Sequence, residues 1–166
     1  MSLSSGRLGW IPAFAGMTIL LASCGFQLRG DPAVGLHTIF VPGGGVAQEI
    51  RRTLSSGPTR VVSKATDAEV HLRILQEARD KQVHTITGQG RVYEFELRLA
   101  VRYDLTAPGR EAPVIPPTEA VARRVITYNE AAPSAKEVEE QLLFKDMQVE
   151  LADRILRQVA VARRDM

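Results

Sequence analysis

The sequence predicts an α+β fold, a two-layer α/β sandwich in which one short helix and one long C-terminal helix pack on a mixed sheet of about four strands. Three observations carry this prediction. Residues 93–105 alternate between apolar and polar side chains, which is typical of a strand with one face on a core. Residues 138–159 carry an apolar stripe at helical spacing, and residues 36–62 form a small strand–helix–strand pattern. The length of 166 residues fits a single domain.

The first predicted elements are a strand, a helix and a second strand. Residues 36–41 are a short apolar run with β-branched and aromatic side chains, and the Pro-Gly-Gly-Gly run that follows ends this strand. Apolar residues at helical spacing then predict a helix that stops at residues 55–58, and residues 61–62 resume an extended run. The glycines at 43–45 lie between a strand and a helix, where a phosphate-binding loop would lie. The run matches neither Gly-x-Gly-x-x-Gly nor the Gly-Lys-Ser/Thr ending of such loops, so a tight turn is favoured.

The middle of the chain predicts a long hairpin. Residues 70–74 alternate between apolar and polar side chains, as residues 93–105 do, and Gly-Gln-Gly at 88–90 supplies a turn between the two runs. His71 lies between two core positions of this pattern. Its ring is therefore expected to face solvent, because neighbouring side chains of a strand point to opposite faces.

The last third of the chain predicts a strand and a long helix. Residues 119–128 form another extended run, in which adjacent Arg123 and Arg124 must lie on opposite faces of the sheet. Ser134 with Glu137 three residues later forms a capping box, which predicts the start of the helix. The predicted apolar stripe of this helix comprises Val138, Leu142, Met147, Leu151, Ile155 and Val159.

Composition and charge exclude several classes of protein. With 21 Lys and Arg against 19 Asp and Glu, the net charge of +2 lacks the basic excess that a nucleic-acid-binding protein needs. The single cysteine, Cys24, allows neither an intramolecular disulfide nor a cysteine zinc cluster, and the three histidines have no metal-ligand spacing. Glu94 and Glu96 share a strand face with two arginines, which indicates a salt-bridged surface and not an acid–base pair. We therefore expect no enzyme, no metal and no cofactor.

The N-terminus predicts a lipoprotein signal peptide at residues 1–23. The apolar run at residues 10–22 is shorter than the roughly 20 residues of a membrane-spanning helix and is typical of a secretory signal. Leu-Ala-Ser-Cys at 21–24 is similar to a bacterial lipobox, in which Cys24 receives N-acyl and S-diacylglyceryl lipid. The alternative is a small buried free cysteine. Glycine in place of aspartate after Cys24 favours the outer membrane, so we predict a lipidated tether at 24–35 and a single periplasm-facing α+β domain at 36–166.

Three segments together carry a resemblance to a known family. The lipobox runs into Cys-Gly-Phe-Gln-Leu-Arg-Gly at residues 24–30, the Gly-Gln turn precedes an aromatic-bearing strand, and Tyr-Asn at 128–129 is followed by Ala-Lys-x-x-Glu at 135–139 and then Met147. This pattern resembles the LPS-assembly lipoprotein family LptE, also called rare lipoprotein B. The resemblance implies a two-layer α/β sandwich inside the lumen of a large outer-membrane β-barrel, LptD. It also implies that the protein plugs this barrel, assists its assembly and binds lipopolysaccharide at the last step of export.

The resemblance also implies candidate binding residues. The lysine of Ala-Lys-x-x-Glu, which is Lys136 here, is implicated in lipopolysaccharide binding in the family. Near the Gly-Gln turn this chain has Ile86 and Thr87 where some relatives carry a basic residue, and Arg91 lies just after the turn. Our hypothesis is that Lys136 and Arg91, helped by Arg123 or Arg124, contact phosphates of lipid A or of the core. Two alternatives stay open: Lys136 is an ordinary solvated residue, or the chain is a solitary envelope lipoprotein with an adaptor or structural role.

Overall fold

The computed structural model describes residues 34–128 and 133–166. The predicted signal peptide, Cys24 and the tether up to residue 33 lie outside the described residues. In chain order the elements are β1 (Thr38–Phe40), α1 (Val46–Leu54), β2 (Arg60–Val62), β3 (Val70–Ile86), β4 (Val92–Thr106), β5 (Ile115–Thr127) and α2 (Pro133–Ala162). No helix in the described ranges is both long enough and apolar enough to cross a membrane.

The five strands form one mixed sheet in the order β2-β1-β3-β4-β5. β1 runs parallel to both of its neighbours, whereas β3, β4 and β5 are antiparallel in succession. The predicted α+β class with one short and one long helix is confirmed. The sheet has five strands where about four were predicted; the three-residue β2, at the predicted extended run, pairs with β1 and forms an edge of the sheet.

The two helices cover one face of the sheet and enclose the core. Every second side chain of β4 from Leu97 to Leu105 is fully buried, because the side chains of a strand alternate between its two faces. α2 contributes buried side chains from Phe144 to Val159. The predicted alternation is therefore confirmed over the central and C-terminal parts of β4, while Tyr93 near its start is half exposed.

The first turns of α2 extend past the core, and two predictions are wrong there. Val138 and Leu142 belong to the predicted apolar stripe but are 58% and 61% exposed. The reason is that α2 buries side chains against the sheet and α1 only from Phe144 onward. Ser134 lies inside the first turn, after Pro133 at the first helical position that proline favours. The helix bounds therefore place Ser134 within the helix and not at the cap position that the predicted capping box requires.

The glycine run forms a tight turn before α1, as predicted. Gly45 has a φ of 57°, and a Cβ at this position would collide with the carboxylate of Glu77 on β3. Glu77 accepts one hydrogen bond from the Val46 N–H at 2.8 Å and another from the Gln148 side-chain amide at 2.8 Å. A carboxylate thus already occupies the positive end of α1, which leaves no place for a phosphate at the glycine turn.

The ring of His71 lies on the face away from the core, as predicted, but it is partly buried there. Its Nε2 lies 2.8 Å from the carbonyl oxygen of Ala65, and its ring packs edge-on against Phe40 with 5.8 Å between the ring centroids. The physical reason is tertiary: the short 3₁₀ turn at Ala65–Asp67, just before β3, brings the Ala65 carbonyl oxygen to the ring. The strand pattern assigned the correct face but could not show what packs on it.

Candidate functional site

A cleft opens where the hairpin of β3 and β4 meets the first turns of α2, and we call it the distal cleft. Its volume is about 160 Å³. The lining residues are Lys81, Phe95, Ile126, Thr127, Tyr128, Pro133, Lys136, Glu137 and Glu140. A second groove of about 380 Å³, between β3 and α2, shares three of these residues with the cleft. The distal cleft combines an apolar floor with charged walls, so its chemistry suits an amphipathic ligand.

Two aromatic rings form the floor of the distal cleft. Phe95 and Tyr128 pack edge to face, with 5.6 Å between ring centroids and an interplanar angle of 88°. The Tyr128 N–H donates to the carbonyl oxygen of Tyr93 at 2.8 Å, which holds the end of β5 against β4. Phe95 is half-buried and Tyr128 is exposed, so the floor offers apolar surface to a ligand while the sheet keeps it in place.

Lys136 lines the distal cleft from the first turn of α2. Its side chain is 25% exposed, and its Nζ donates to Glu139 Oε2 at 2.8 Å. This pair is three residues apart on the helix, an arrangement that orients the lysine but contributes little energy. Of the four basic residues in our binding hypothesis, Lys136 is the one that the structure brings into the cleft.

The opposite wall carries Lys81, which the sequence did not single out. Its Nζ lies 4.7 Å from the centroid of the Phe95 ring and 2.5 Å from Glu140 Oε2 on α2. Lys81 pairs with Leu97 across the β3–β4 ladder, so it stands on the face that α2 covers. A charged residue at a core-facing position near the end of a strand is the signal that could have identified it.

The three arginines of the hypothesis lie elsewhere. Arg91 is exposed at the tip of the β3–β4 hairpin, where its backbone N–H donates to the Thr87 hydroxyl at 3.1 Å. Arg123 lies on the open face of the sheet, 3.7 Å from Glu96. Arg124 lies on the helix-covered face and donates to Glu150 of α2 at 2.7 Å. The two arginines occupy opposite faces, as the period of two predicts, and the four basic residues do not form one cluster.

The face of the sheet opposite the helices is polar and cross-linked by ion pairs. Arg98 of β4 donates to Glu119 of β5 at 3.1 Å, and Arg73 of β3 binds the buried carboxylate of Asp104 through two hydrogen bonds. The hydrogen bonds from Arg73 and the negative charge of Asp104 raise the pKa of the Arg73 guanidinium above its ordinary value. The predicted salt-bridged surface is confirmed, although its partners are mostly on adjacent strands.

The described residues contain no group of three or more His, Cys, Asp or Glu side chains placed to hold a metal ion. Both lysines of the distal cleft already have a carboxylate partner, Lys81 in Glu140 and Lys136 in Glu139, and Glu137 also lines the cleft. The positive charges of the two lysines are therefore partly neutralised by neighbouring carboxylates. An anionic group that binds there has to replace a carboxylate as partner of a lysine.

The comparison with protein families gives a match over most of the chain. A family model described as LptE, lipopolysaccharide-assembly, matches residues 36–159. The LPS-assembly lipoprotein LptE of Pectobacterium atrosepticum is 26% identical over 152 residues, which cover 87% of this chain and 81% of that protein. The protein of the same name from Yersinia pestis is 28% identical over 152 residues, covering 87% of this chain and 72% of that protein.

Solved structures show the same fold. Lipoprotein B of Nitrosomonas europaea superposes with a TM-score of 0.69 at 30% identity, covering 82% of this chain and 90% of that chain. Rare lipoprotein B of Shewanella oneidensis gives a TM-score of 0.67 at 25% identity, covering 77% of this chain and 97% of that chain. The family match and these two structures cover the domain that contains the distal cleft.

Proposed function

This chain belongs to the LptE family of lipopolysaccharide-assembly lipoproteins, and from that premise we propose that it plugs an LptD β-barrel of the outer membrane, assists its assembly and binds lipopolysaccharide during export. In this proposal the protein is not an enzyme and uses no cofactor. It is anchored to the membrane by the lipid on Cys24 and faces the periplasm. The observation that carries the proposal is that Lys136, the lysine implied by the family motif, lines a cleft with an aromatic floor.

The chemistry of the distal cleft supports lipopolysaccharide as the ligand. Lipid A is a phosphorylated glycolipid, so it presents anionic groups next to apolar and sugar surfaces. The ammonium of Lys136 can bind a phosphate by a charge-assisted hydrogen bond, and the Phe95 and Tyr128 rings can contact the sugar or an acyl chain. Binding exchanges the Lys136–Glu139 pair for a Lys136–phosphate pair, and the pair that is lost is a weak surface one.

The remaining basic residues of the hypothesis take supporting roles in this proposal. Arg91 is exposed on the hairpin tip and is free to reach a second phosphate of a ligand that extends out of the distal cleft. Arg123 and Arg124 already contact Glu96 and Glu150, so a ligand phosphate would compete with those carboxylates. We therefore rank Lys136 and Arg91 above the two strand arginines as ligand contacts.

The open face of the sheet supports the role of a barrel plug. The interior of a large outer-membrane barrel is polar, and it must be blocked if the barrel is not to leak. The ion-paired face formed by residues such as Arg98 and Glu119 suits such a lumen better than an apolar surface would. The lipid on Cys24 would raise the local concentration of the domain near the barrel.

The first experiment identifies the partner. A C-terminal tag on the full chain, extraction of native membranes in mild detergent and analysis of the purified complex should give a large outer-membrane barrel protein at equal stoichiometry. Recovery of the lipidated protein alone would contradict the plug proposal. That result would favour a solitary envelope lipoprotein with an adaptor or structural role.

A second experiment tests lipopolysaccharide binding at the distal cleft. We expect Lys136→Glu to weaken binding of purified lipopolysaccharide about tenfold or more, because the substitution replaces a phosphate-binding cation with a repelling anion. Lys64→Glu is the matched control, since Lys64 is an exposed lysine outside the cleft and the charge change is the same. Equal binding by Lys136→Glu and wild type would remove Lys136 from the site.

A further inference from the structure

We propose that Lys81 is a second phosphate-binding cation of the distal cleft and that Glu140 competes with the ligand for it. The proposal rests on the proposed function, because its ligand is the phosphate group of the same glycolipid. It assigns two residues that the family motif does not contain. It also predicts that loss of the Lys81 charge weakens ligand binding and that loss of the Glu140 charge strengthens it.

The fold brings two lysines from distant parts of the chain to one cleft. The whole sequence has only four lysines, and two of them, Lys81 on β3 and Lys136 on α2, line the distal cleft. Lys81 is held above the floor by its position 4.7 Å from the centroid of the Phe95 ring. A phosphate has several acceptor oxygens, so ammonium groups on two walls can bind one phosphate together.

Glu140 forms the ion pair with Lys81 that a ligand phosphate has to replace. The Lys81 Nζ and Glu140 Oε2 are 2.5 Å apart, with side-chain exposures of 41% and 24%. A pair this exposed is screened by water and exchanges partners easily. A phosphate carries more negative charge than a carboxylate and more acceptor oxygens, so it is the stronger partner for the lysine.

The competition follows from the charge balance of the cleft. Lys81 is paired with Glu140, Lys136 is paired with Glu139, and Glu137 also lines the cleft, so an anion gains little there unless a lysine changes partner. Removing the charge of Glu140 makes the cleft less negative by one charge and releases Lys81 for the ligand. Removing the charge of Lys81 makes the cleft more negative by one charge and deprives the ligand of a contact.

The test measures affinities of the lipidated full-length protein in detergent for two probes, lipid A with its phosphates and lipid A from which the phosphates have been removed. The variants are Lys81→Gln, Lys81→Arg, Glu140→Gln, Lys136→Gln and the control Lys64→Gln. We expect Lys81→Gln to bind phosphorylated lipid A about tenfold more weakly, and Glu140→Gln to bind it about threefold to tenfold more tightly. Lys81→Arg should bind within about threefold of wild type, because the charge and the contact with Phe95 are kept.

The dephosphorylated probe separates charge recognition from changes in folding. We expect the five variants to bind it as wild type does, since no phosphate is present to distinguish them. If Lys136→Gln weakens binding of phosphorylated lipid A and Lys81→Gln does not, the role of Lys81 is overturned while the proposed function stands. Weaker binding by Glu140→Gln would overturn the competition. If wild type binds neither probe, the proposed lipopolysaccharide binding itself is overturned.

Discussion

Tyr103 places a hydroxyl group in the apolar core between the sheet and the helices. It lies on β4 opposite Ile74 and Thr118 and is fully buried. Within the described residues, its hydroxyl is the buried side-chain group that has no hydrogen-bond partner. Burial raises the pKa of the Tyr103 phenol above its ordinary value of 10.0, because the ionised form would lose its hydration. The ring contributes packing, and its hydroxyl is a cost to stability.

We expect Tyr103→Phe to increase the free energy of unfolding at pH 7 by about 1 kcal/mol, because the substitution removes an unsatisfied polar group and keeps the ring. The wild type should also lose stability above about pH 10. There the phenol of the unfolded chain ionises, while the folded chain holds its proton because the folded pKa is raised. The Phe variant lacks this contribution, so the difference between the two proteins should widen above pH 10. Urea unfolding of both proteins at pH 7 and above pH 10 measures this difference. A Phe variant that is less stable than wild type at pH 7 would contradict the explanation.

At the scale of elements, one carboxylate joins three parts of the fold. Glu77 of β3 accepts a hydrogen bond from the first N–H of α1 and another from Gln148 of α2, each at 2.8 Å. α1 has no side-chain cap of its own, since Gly45 occupies the cap position. The Glu77 side chain therefore accepts the hydrogen bond that a serine or aspartate cap accepts in other helices. Because it also binds Gln148, it connects both helices to β3.

We predict that Glu77→Ala lowers the free energy of unfolding by about 1–3 kcal/mol, because it leaves the Val46 N–H and the Gln148 amide without their acceptor. Glu119→Ala is the control, since it removes a glutamate whose ion pair with Arg98 is exposed and weak. Urea unfolding of both variants tests the prediction. Equal losses in the two variants would show that Glu77 acts as an ordinary surface charge.

At the scale of the whole molecule, the two faces of the sheet have different roles. One face is covered by α1 and α2 and holds the core, and the other is polar and ion-paired. The distal cleft lies at one end of the covered face, where the first turns of α2 extend past the core. A domain with a polar face and a ligand cleft at one end fits the proposed position in a barrel lumen, with the lipid anchor joined to its N-terminal end.

We expect Cys24→Ser to abolish incorporation of radiolabelled palmitate into the protein in growing cells, because Cys24 is the only thiol in the chain that can form the thioether to diacylglycerol. Loss of the acyl chains also removes about 0.8 kcal/mol of membrane affinity for each buried CH₂ group. The wild-type protein, labelled in parallel, is the control. Labelling of the Ser variant would place the lipid at another residue and would contradict the predicted lipobox.

Local patterns predicted most of the elements and the fold class. The alternation in β4, the helical spacing in α1 and the stripe of α2 from Met147 onward all correspond to what the structure contains. The errors lie where tertiary packing overrides a local pattern. Val138 and Leu142 continue an apolar stripe beyond the core, and His71, although on the predicted face, has a contact with a neighbouring turn that the strand pattern does not reveal.

The sequence by itself determined the family, the strand and helix periods and the separation of Arg123 from Arg124, because each of these depends on neighbouring residues or on a short motif. Only the tertiary structure decided which charges meet. Lys81 reaches Glu140 across 59 residues, and Glu77 reaches Gln148 across 71. Such contacts depend on the register of β3 against β4 and on where α2 packs across the sheet. A shift of one residue in that register would turn Lys81 to the opposite face, which is why no local pattern could show that Lys81 and Lys136 line the same cleft.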